Sequence, residues 1–299
     1  MHEVHLLDSS KSRGNYLEQL GDRKNLNGMP EPLAPPIHSV PFELFADILV
    51  LALILPRATD KFGSRTSGSL ADVLVLCRIC SHWRQVGLNT PQLWAQQTFP
   101  INLHYKKPEI IFLTVTETFL ERSALLPISI HFHIMMKPSE ITLLLPALIG
   151  AAHRWENLEM HSYKRAEFDP GFLTGIPAGT LANLEKLTLE RPRLDAGLDA
   201  FQLAPRLPDV ILDLHSGPSS HIPLVSWGQL THLSLDHNSP QVCLDILVRC
   251  TNLVSVHFGT NQWRKEDPPI VEKCVLKHME ELHVCMAVCA TAEHLDPFL

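Results

Sequence analysis

The sequence lacks both a long apolar run and an excess of basic charge. Its longest uninterrupted apolar stretch, Ile48 to Leu55, is far shorter than the roughly 18 residues that read as a membrane span. Lys and Arg number 25 against 32 Asp and Glu, a net charge of −7. Without a basic block there is no electrostatic footprint for nucleic acid. We therefore expect neither a membrane span nor a nucleic-acid partner.

Cysteine usage and the N-terminus argue against a secreted protein. The seven cysteines are an odd number without the pattern of a small disulfide scaffold, at positions 77, 80, 243, 250, 274, 285 and 289. The first residues, "MHEVHLLDSSKSRGNY", contain no apolar core of a secretory signal. These features predict a reduced chain in the cytoplasm or nucleus.

Familiar catalytic motifs are absent. There is no G-x-S-x-G, no P-loop and no G-x-G-x-x-G, and no carboxylate pair stands out from the solvated charges. We therefore predict no enzymatic activity, no catalytic residue and no cofactor. A hydrolase with a scattered site is the least favoured alternative.

Two groups of metal-ligand residue types favour ordinary structural roles. Cys77 and Cys80, followed by His82, lack the second ligand pair of a zinc site and the context of a redox motif. Cysteines three apart on an apolar helix favour core packing. His131 and His133 share one face of a predicted strand and could bind metal, but alternation of exposed polar residues is the favoured interpretation. No metal site is predicted.

Shifts in composition divide the chain into three regions. Proline is frequent, with 23 residues, which favours many short elements over one helical bundle. Residues 1–36 are polar and lead into "MPEPLAPPIHS", so we predict a disordered N-terminal segment. Two apolar helical segments follow, separated by a Gly/Ser/Thr-rich loop over 56–69. From "LPISIHFHI" (126–134) onward the pattern is that of strands.

A motif of the form apolar-x-x-apolar-x-apolar recurs through the second half. The copies are Leu184/Leu187/Leu189, Leu207/Val210/Leu212, Leu230/Leu233/Leu235, Leu253/Val256/Phe258 and Met279/Leu282/Val284, with a degenerate copy at Leu158/His161/Tyr163. Their first positions, 158, 184, 207, 230, 253 and 279, are separated by 26, 23, 23, 23 and 26 residues. This period is typical of leucine-rich repeats.

The repeat predicts an α/β fold in which each copy supplies one strand. Because one strand and one helix cannot bury their apolar faces alone, stacked copies form an irregular solenoid with a parallel sheet on its concave face. The residues between the anchors would then point outward. We predict Thr188, Ile211, Ser234 and His257 as a protein-binding surface.

The segment 37–97 resembles an F-box, in the form found in a large family of mushroom-type (basidiomycete) fungal proteins. The resemblance rests on "VPFELFADILVLAL" and on "LVLCRICSHWRQVGLNTPQLW", with Val40 where leucine is usual. "FLERSALLPISI" (119–130) is similar to the segment that follows in that family. The resemblance implies an F-box domain over 37–97 and a leucine-rich-repeat-like domain over 98–299.

The same resemblance implies a function. F-box proteins dock on the Skp-type adaptor of a cullin-RING (SCF) ubiquitin ligase, and their repeats hold the protein to be ubiquitinated. The residues matched to adaptor binding are Val40, Pro41, Glu43, Leu44, Ile48, Leu49, Cys80 and Trp83. A leucine-rich-repeat scaffold without a ubiquitin role is the alternative.

The helix over Val40–Leu53 carries two apolar stripes, one with Leu44, Ile48 and Leu51 and another with Phe42, Phe45, Leu49 and Ala52. A small three-helix unit can cover only one of them. We expect the Leu44 stripe to contact another protein. The alternative is an internal helix of one larger domain, with both stripes buried.

Overall fold

A computed structural model of the chain describes residues 39–54, 70–95, 98–102, 109–134, 143–162, 167–193, 199–214, 224–237, 239–259 and 275–285. The chain divides into two compact units, Met1–Pro41 and Phe42–Leu299. Only residues 39–41 of the first unit are described, so the predicted disorder of 1–36 lies outside the described residues. No boundary between compact units falls at 97/98, the predicted division between the helical and repeat domains.

Eight α-helices occur in the described residues. They are α1 (Phe42–Ile54), α2 (Leu70–Leu76), α3 (Ser81–Asn89), α4 (Pro91–Ala95), α5 (Glu109–Arg122), α6 (Leu145–Gly150), α7 (Asp199–Gln202) and α8 (Pro240–Leu247). Pro91 and Pro240 open α4 and α8, where a missing N–H costs no intrahelical bond. The two apolar segments predicted as helices near the N-terminus correspond to α1 and to α2–α4. No helix in these ranges has the length and apolar character that a membrane crossing requires.

The strands form one open, fully parallel sheet. They are β1 (Thr98–Asn102), β2 (Ile128–Ile134), β3 (Trp155–Ser162), β4 (Lys186–Glu190), β5 (Asp209–Leu214), β6 (His232–His237), β7 (Ser255–Gly259) and β8 (Glu281–Cys285). Their order in the sheet is their order in the chain, and every neighbouring pair is parallel. The predicted α/β class with a parallel sheet is confirmed.

The predicted anchors stack in register across the sheet. Leu187 pairs with Val210, which pairs with Leu233, and this row continues to Val256 and Leu282. The anchors of β4 to β7 are buried, and those of β8, at the sheet edge, are half-buried. Burying such a side chain contributes about 1.5–3 kcal/mol of gross stabilisation. The stacked anchors therefore supply the main apolar contact between neighbouring strands.

The degenerate copy is displaced by three residues from its predicted position. Leu158 pairs with Leu187 and Met160 pairs with Leu189, so Leu158 occupies the second anchor position. Trp155, which is fully buried, precedes Leu158 as Leu184 precedes Leu187. The prediction that His161 is an anchor is wrong, because side chains alternate along a strand and His161 lies on the face opposite Leu158 and Met160. Tyr163 lies outside the described residues.

Two further strands extend the sheet on the N-terminal side. Ile128, Ile130 and Phe132 of β2 are fully buried, which confirms the predicted alternation of "ISIHFHI". Ile130 pairs with Leu158 and Phe132 with Met160. The apolar face of the repeats therefore continues upstream into β2.

Polar side chains cross-link successive repeats at a fixed position, just before the first anchor. The side-chain amide of Asn183 donates a hydrogen bond to the His153 carbonyl at 2.8 Å. The Gln229 amide donates to the Ala204 carbonyl at 2.7 Å, and the Asn252 amide donates to the Gly228 carbonyl at 2.6 Å. The Gln229 bond is part-buried, and the other two lie at the surface. These amides satisfy turn carbonyls that the sheet ladder leaves unpaired.

The N-terminal helices pack around aromatic side chains and also contact α5. Phe45 of α1 stacks on His82 at 5.4 Å between ring centroids and meets Trp83 edge-on at 5.0 Å. The Arg122 guanidinium at the end of α5 donates to the Leu88 carbonyl of α3 at 2.8 Å. These contacts hold α1–α4 within the same compact unit as the strands.

The stacked core predicts a large effect from a single truncation in β6. Leu233→Ala should lower the free energy of unfolding by about 2–5 kcal/mol, because it removes a buried side chain and leaves a cavity. Ser234→Ala, the next residue and on the opposite face, should change it by about 0.5 kcal/mol or less. Urea denaturation followed by circular dichroism measures both. Equal effects of the two substitutions would contradict the assignment of the core face.

Candidate functional site

Helix α1 exposes the whole of one predicted apolar stripe, while the other stripe is buried at Phe45 and Leu49 and exposed at its two ends, Phe42 and Ala52. Leu44, Ile48 and Leu51 are 58%, 53% and 61% exposed, whereas Phe45 and Leu49 are both 2% exposed. The exposed side chains recur every three to four residues and therefore share one helical face. The alternative in which both stripes are buried within this chain is wrong for the described residues.

The other residues matched to adaptor binding have varied positions. Pro41 and Glu43 are exposed, and Val40, Cys80 and Trp83 are half-buried. Leu49 is an internal packing residue, because its side chain lies on the buried face of α1; it is not available to a partner in this conformation. Further apolar side chains are exposed on α2 and the turn after it: Leu74, Val75 and Ile79.

The cysteine pair of "CRIC" is part of the packing between helices. Cys77 is buried and Cys80 is half-buried. A Cβ added at Gly87 of α3 would lie 2.7 Å from the Cys77 Sγ, so glycine allows the end of α2 to approach α3. Burial raises the pKa of the Cys77 thiol, which leaves it protonated and unreactive.

The four residues predicted as a protein-binding surface lie side by side on the face of the sheet opposite the core, here called the open face. Thr188 pairs with Ile211, Ile211 with Ser234, and Ser234 with His257. His257 is exposed, Ile211 and Ser234 are half-buried, and Thr188 is 7% exposed. The row is therefore accessible from its His257 end, and Thr188 contributes less surface than predicted.

At its other end this row leads to a cluster of ionisable side chains from β2, β3 and β4. Glu159 pairs with Thr188 on one side and with His131 on the other. The Glu159 Oε2 lies 3.6 Å from the His161 Nε2 and 3.9 Å from the His131 Nδ1. His161 Nδ1 lies 3.0 Å from the Glu190 Oε2. The Glu159 carboxylate thus faces the imidazoles of His131 and His161, and the Glu190 carboxylate contacts the other nitrogen of the His161 ring.

The cluster gives its histidines opposite protonation behaviour. The carboxylates of Glu159 and Glu190 raise the pKa of His161 to about 9. Burial, with His133 and His161 nearby, lowers the pKa of His131 to about 4. His133, whose ring centroid is 4.1 Å from that of His131, also has a lowered pKa because of burial. At neutral pH one imidazolium lies between two carboxylates, beside two neutral imidazoles.

Sequence reasoning found two of the five residues of this cluster. It placed His131 and His133 on one strand face, but it did not connect them with Glu159, His161 or Glu190. The register error at Leu158 concealed the connection, since it assigned His161 to the core. Reading "WENLEM" with Trp155 as first anchor would have placed Glu159 and His161 on the open face.

No protein-family model matches the chain, and no curated protein matches it. The F-box resemblance therefore rests on the residues quoted above, and the function is argued from those residues and from the surfaces just described.

The two carboxylates around His161 predict an unusual titration. In chelator-treated protein, two-dimensional NMR should show His161 titrating near pH 9, because Glu159 and Glu190 stabilise the imidazolium. The stabilisation from this proton is complete below the ordinary pKa of 6.5 and is lost as pH rises through about 9. Glu190→Gln should lower this pKa. A His161 pKa at or below 6.5 in the parent protein would contradict the assignment.

Proposed function

We propose that the protein is a substrate-recognition subunit of an SCF-type ubiquitin ligase. In this proposal residues 37–97 form an F-box that docks the Skp-type adaptor, and the strand repeats form an irregular leucine-rich-repeat solenoid that holds the target protein. The chain performs no bond chemistry itself. It raises the concentration of target near the ubiquitin-conjugating enzyme.

The observation that carries the proposal is the exposed face of α1. An unpartnered row of three large aliphatic side chains is unusual on a monomer surface, unlike apolar residues scattered singly. The row lies within the segment that resembles an F-box, and Leu44 and Ile48 are among the residues matched to adaptor binding. Exposed Pro41 and Glu43 adjoin it in the sequence. An apolar groove on the adaptor is the partner that this face and this resemblance both favour.

The fit of the repeats to a recognition role is a separate support. A sheet in which every neighbouring pair is parallel and the chain advances one strand at a time is the arrangement that stacked repeats produce. Its open face presents side chains from many strands in continuous rows. Such rows offer a large surface for a protein target.

Adaptor binding should depend on the α1 stripe. With the full chain and a purified Skp-type adaptor from a mushroom-forming fungus, we expect a stable complex by size-exclusion chromatography. The double variant Leu44→Asp with Ile48→Asp should weaken adaptor binding at least tenfold. It removes two apolar contacts and places two carboxylates where binding would strip them of water. Titration of labelled adaptor measures the change.

The matched control is Leu125→Asp, which adds a charge at an exposed leucine outside α1–α4 and should leave adaptor binding intact. Circular dichroism must show that the double variant remains folded. Failure of the adaptor to bind the parent chain, or equal binding by the double variant, would refute the ubiquitin-ligase role.

A second candidate function is a protein-binding scaffold without a ubiquitin role. It is favoured by the row of Thr188, Ile211, Ser234 and His257, whose alignment does not depend on the F-box resemblance. Failure of the adaptor to bind would not contradict this scaffold function.

Both candidates predict that a partner contacts the open face. A photo-crosslinking amino acid introduced at position 257 or 234 should capture the same protein in cells. The same amino acid at Leu203, an exposed residue just after α7, should not capture it. Ser234→Asp with His257→Asp should abolish co-purification of that protein. Equal capture from position 203 would contradict the open face as the recognition surface.

A further inference from the structure

We propose that His131, Glu159 and His161 form a binding site for a divalent transition-metal ion, with Zn²⁺ as its natural occupant. The site lies on the open face, where β2 and β3 run side by side. It does not depend on the adaptor or the target protein.

The donor atoms are close to the spacing that a metal requires. Zinc bonds of about 2.0–2.2 Å to imidazole and carboxylate place tetrahedral ligands about 3.4 Å apart. The Glu159 Oε2 lies 3.6 Å from the His161 Nε2 and 3.9 Å from the His131 Nδ1. The donor atoms of all three residues lie within 4.8 Å of one another. Small rotations of side chains at the surface of a rigid sheet bring them to coordination distance.

His161 suits a metal ligand once the metal displaces the proton that Glu159 and Glu190 hold on its ring, so binding should release a proton. Its Nδ1 lies 3.0 Å from the Glu190 Oε2, while its Nε2 faces Glu159. A metal-bound histidine usually donates its second N–H to a carboxylate, which orients the ring and strengthens the donor nitrogen. Glu190 supplies that carboxylate from the next strand.

His131 offers an independent observation. Its Nδ1 is directed toward Glu159 at 3.9 Å, which is too long for a hydrogen bond but within the range in which both groups could share a metal ion.

The donor set indicates the class of metal. Two imidazoles and one carboxylate suit Zn²⁺ and related first-row ions, whereas Ca²⁺ and Mg²⁺ prefer oxygen ligands throughout. Three protein ligands leave a fourth position for water. The bound ion would link β2 to β3 on the side opposite the core.

The test uses the full-length chain without a polyhistidine tag, stripped with EDTA and titrated at pH 8 with Co²⁺ as a spectroscopic probe and with Zn²⁺ by calorimetry. We expect one equivalent of Co²⁺ to bind with visible d–d absorption, and Zn²⁺ to displace it. Mg²⁺ and Ca²⁺ should displace none. Glu159→Gln and His131→Asn should each weaken binding at least tenfold.

Two controls separate this site from other histidines. His283→Gln, on the same face beside His257, should leave the affinity unchanged. Glu190→Gln should leave Co²⁺ binding in place and make it less dependent on pH, because this variant lowers the His161 pKa and with it the competition of the proton for the ring. Thermal unfolding in EDTA shows whether each variant remains folded, and only folded variants are compared.

Absence of Co²⁺ binding to the parent chain would overturn the proposal. So would binding that survives both Glu159→Gln and His131→Asn unchanged, or that is lost equally in His283→Gln. None of these results would affect the adaptor experiment, because its variants lie on α1.

Discussion

The structure depends on the shared register of its apolar anchors. Each strand from β2 to β7 contributes only a few buried side chains, and no strand could hold these out of water alone. Parallel pairing places every anchor beside the equivalent anchor of the neighbouring strand, so that Leu233 lies between Val210 and Val256. The hydrophobic stabilisation therefore comes from apolar surface that is buried between neighbouring repeats. Side-chain amides such as that of Gln229 add hydrogen bonds to turn carbonyls across the same boundaries.

The same register orders the open face. Because side chains alternate along a strand with a period of two, fixing the buried anchors also aligns every residue between them. Residues far apart in sequence become cross-strand neighbours, and their charges interact at a few ångströms. This explains how Glu159 comes to face both His131 and His161, and how Glu190 reaches the other side of His161. The row of Thr188, Ile211, Ser234 and His257 and the cluster around Glu159 are therefore two ends of the same open face, and both are aligned by the register of the buried anchors.

The helical segment follows a different constraint. Helix α1 is apolar on more sides than its neighbours can cover, since Phe45 and Leu49 already fill the space beside α3 and α4. Leu44, Ile48 and Leu51 are left on the solvent side. Water contact of such a row is unfavourable, and association with an apolar groove relieves it. The proposed adaptor role and the proposed metal site thus lie on separate elements and can be tested separately.

The sequence by itself determined the α/β class, the repeat period, the core face of β4–β7 and the division of α1 into two stripes. These follow from periodicity, which depends only on the order of apolar residues. It also aligned Thr188, Ile211, Ser234 and His257, since equivalent positions in parallel repeats become neighbours. The tertiary structure was needed to show that Phe42 and Ala52 of the other stripe are exposed and that Leu49 is buried, because these depend on which sides of α1 are covered by α3 and α4. It also decided the register of the irregular copy, where Trp155 serves as an anchor in place of leucine, and the burial of Thr188. The cluster around Glu159 could be found only once β2, β3 and β4 were placed in register, because its members are brought together by strand pairing and share no local motif.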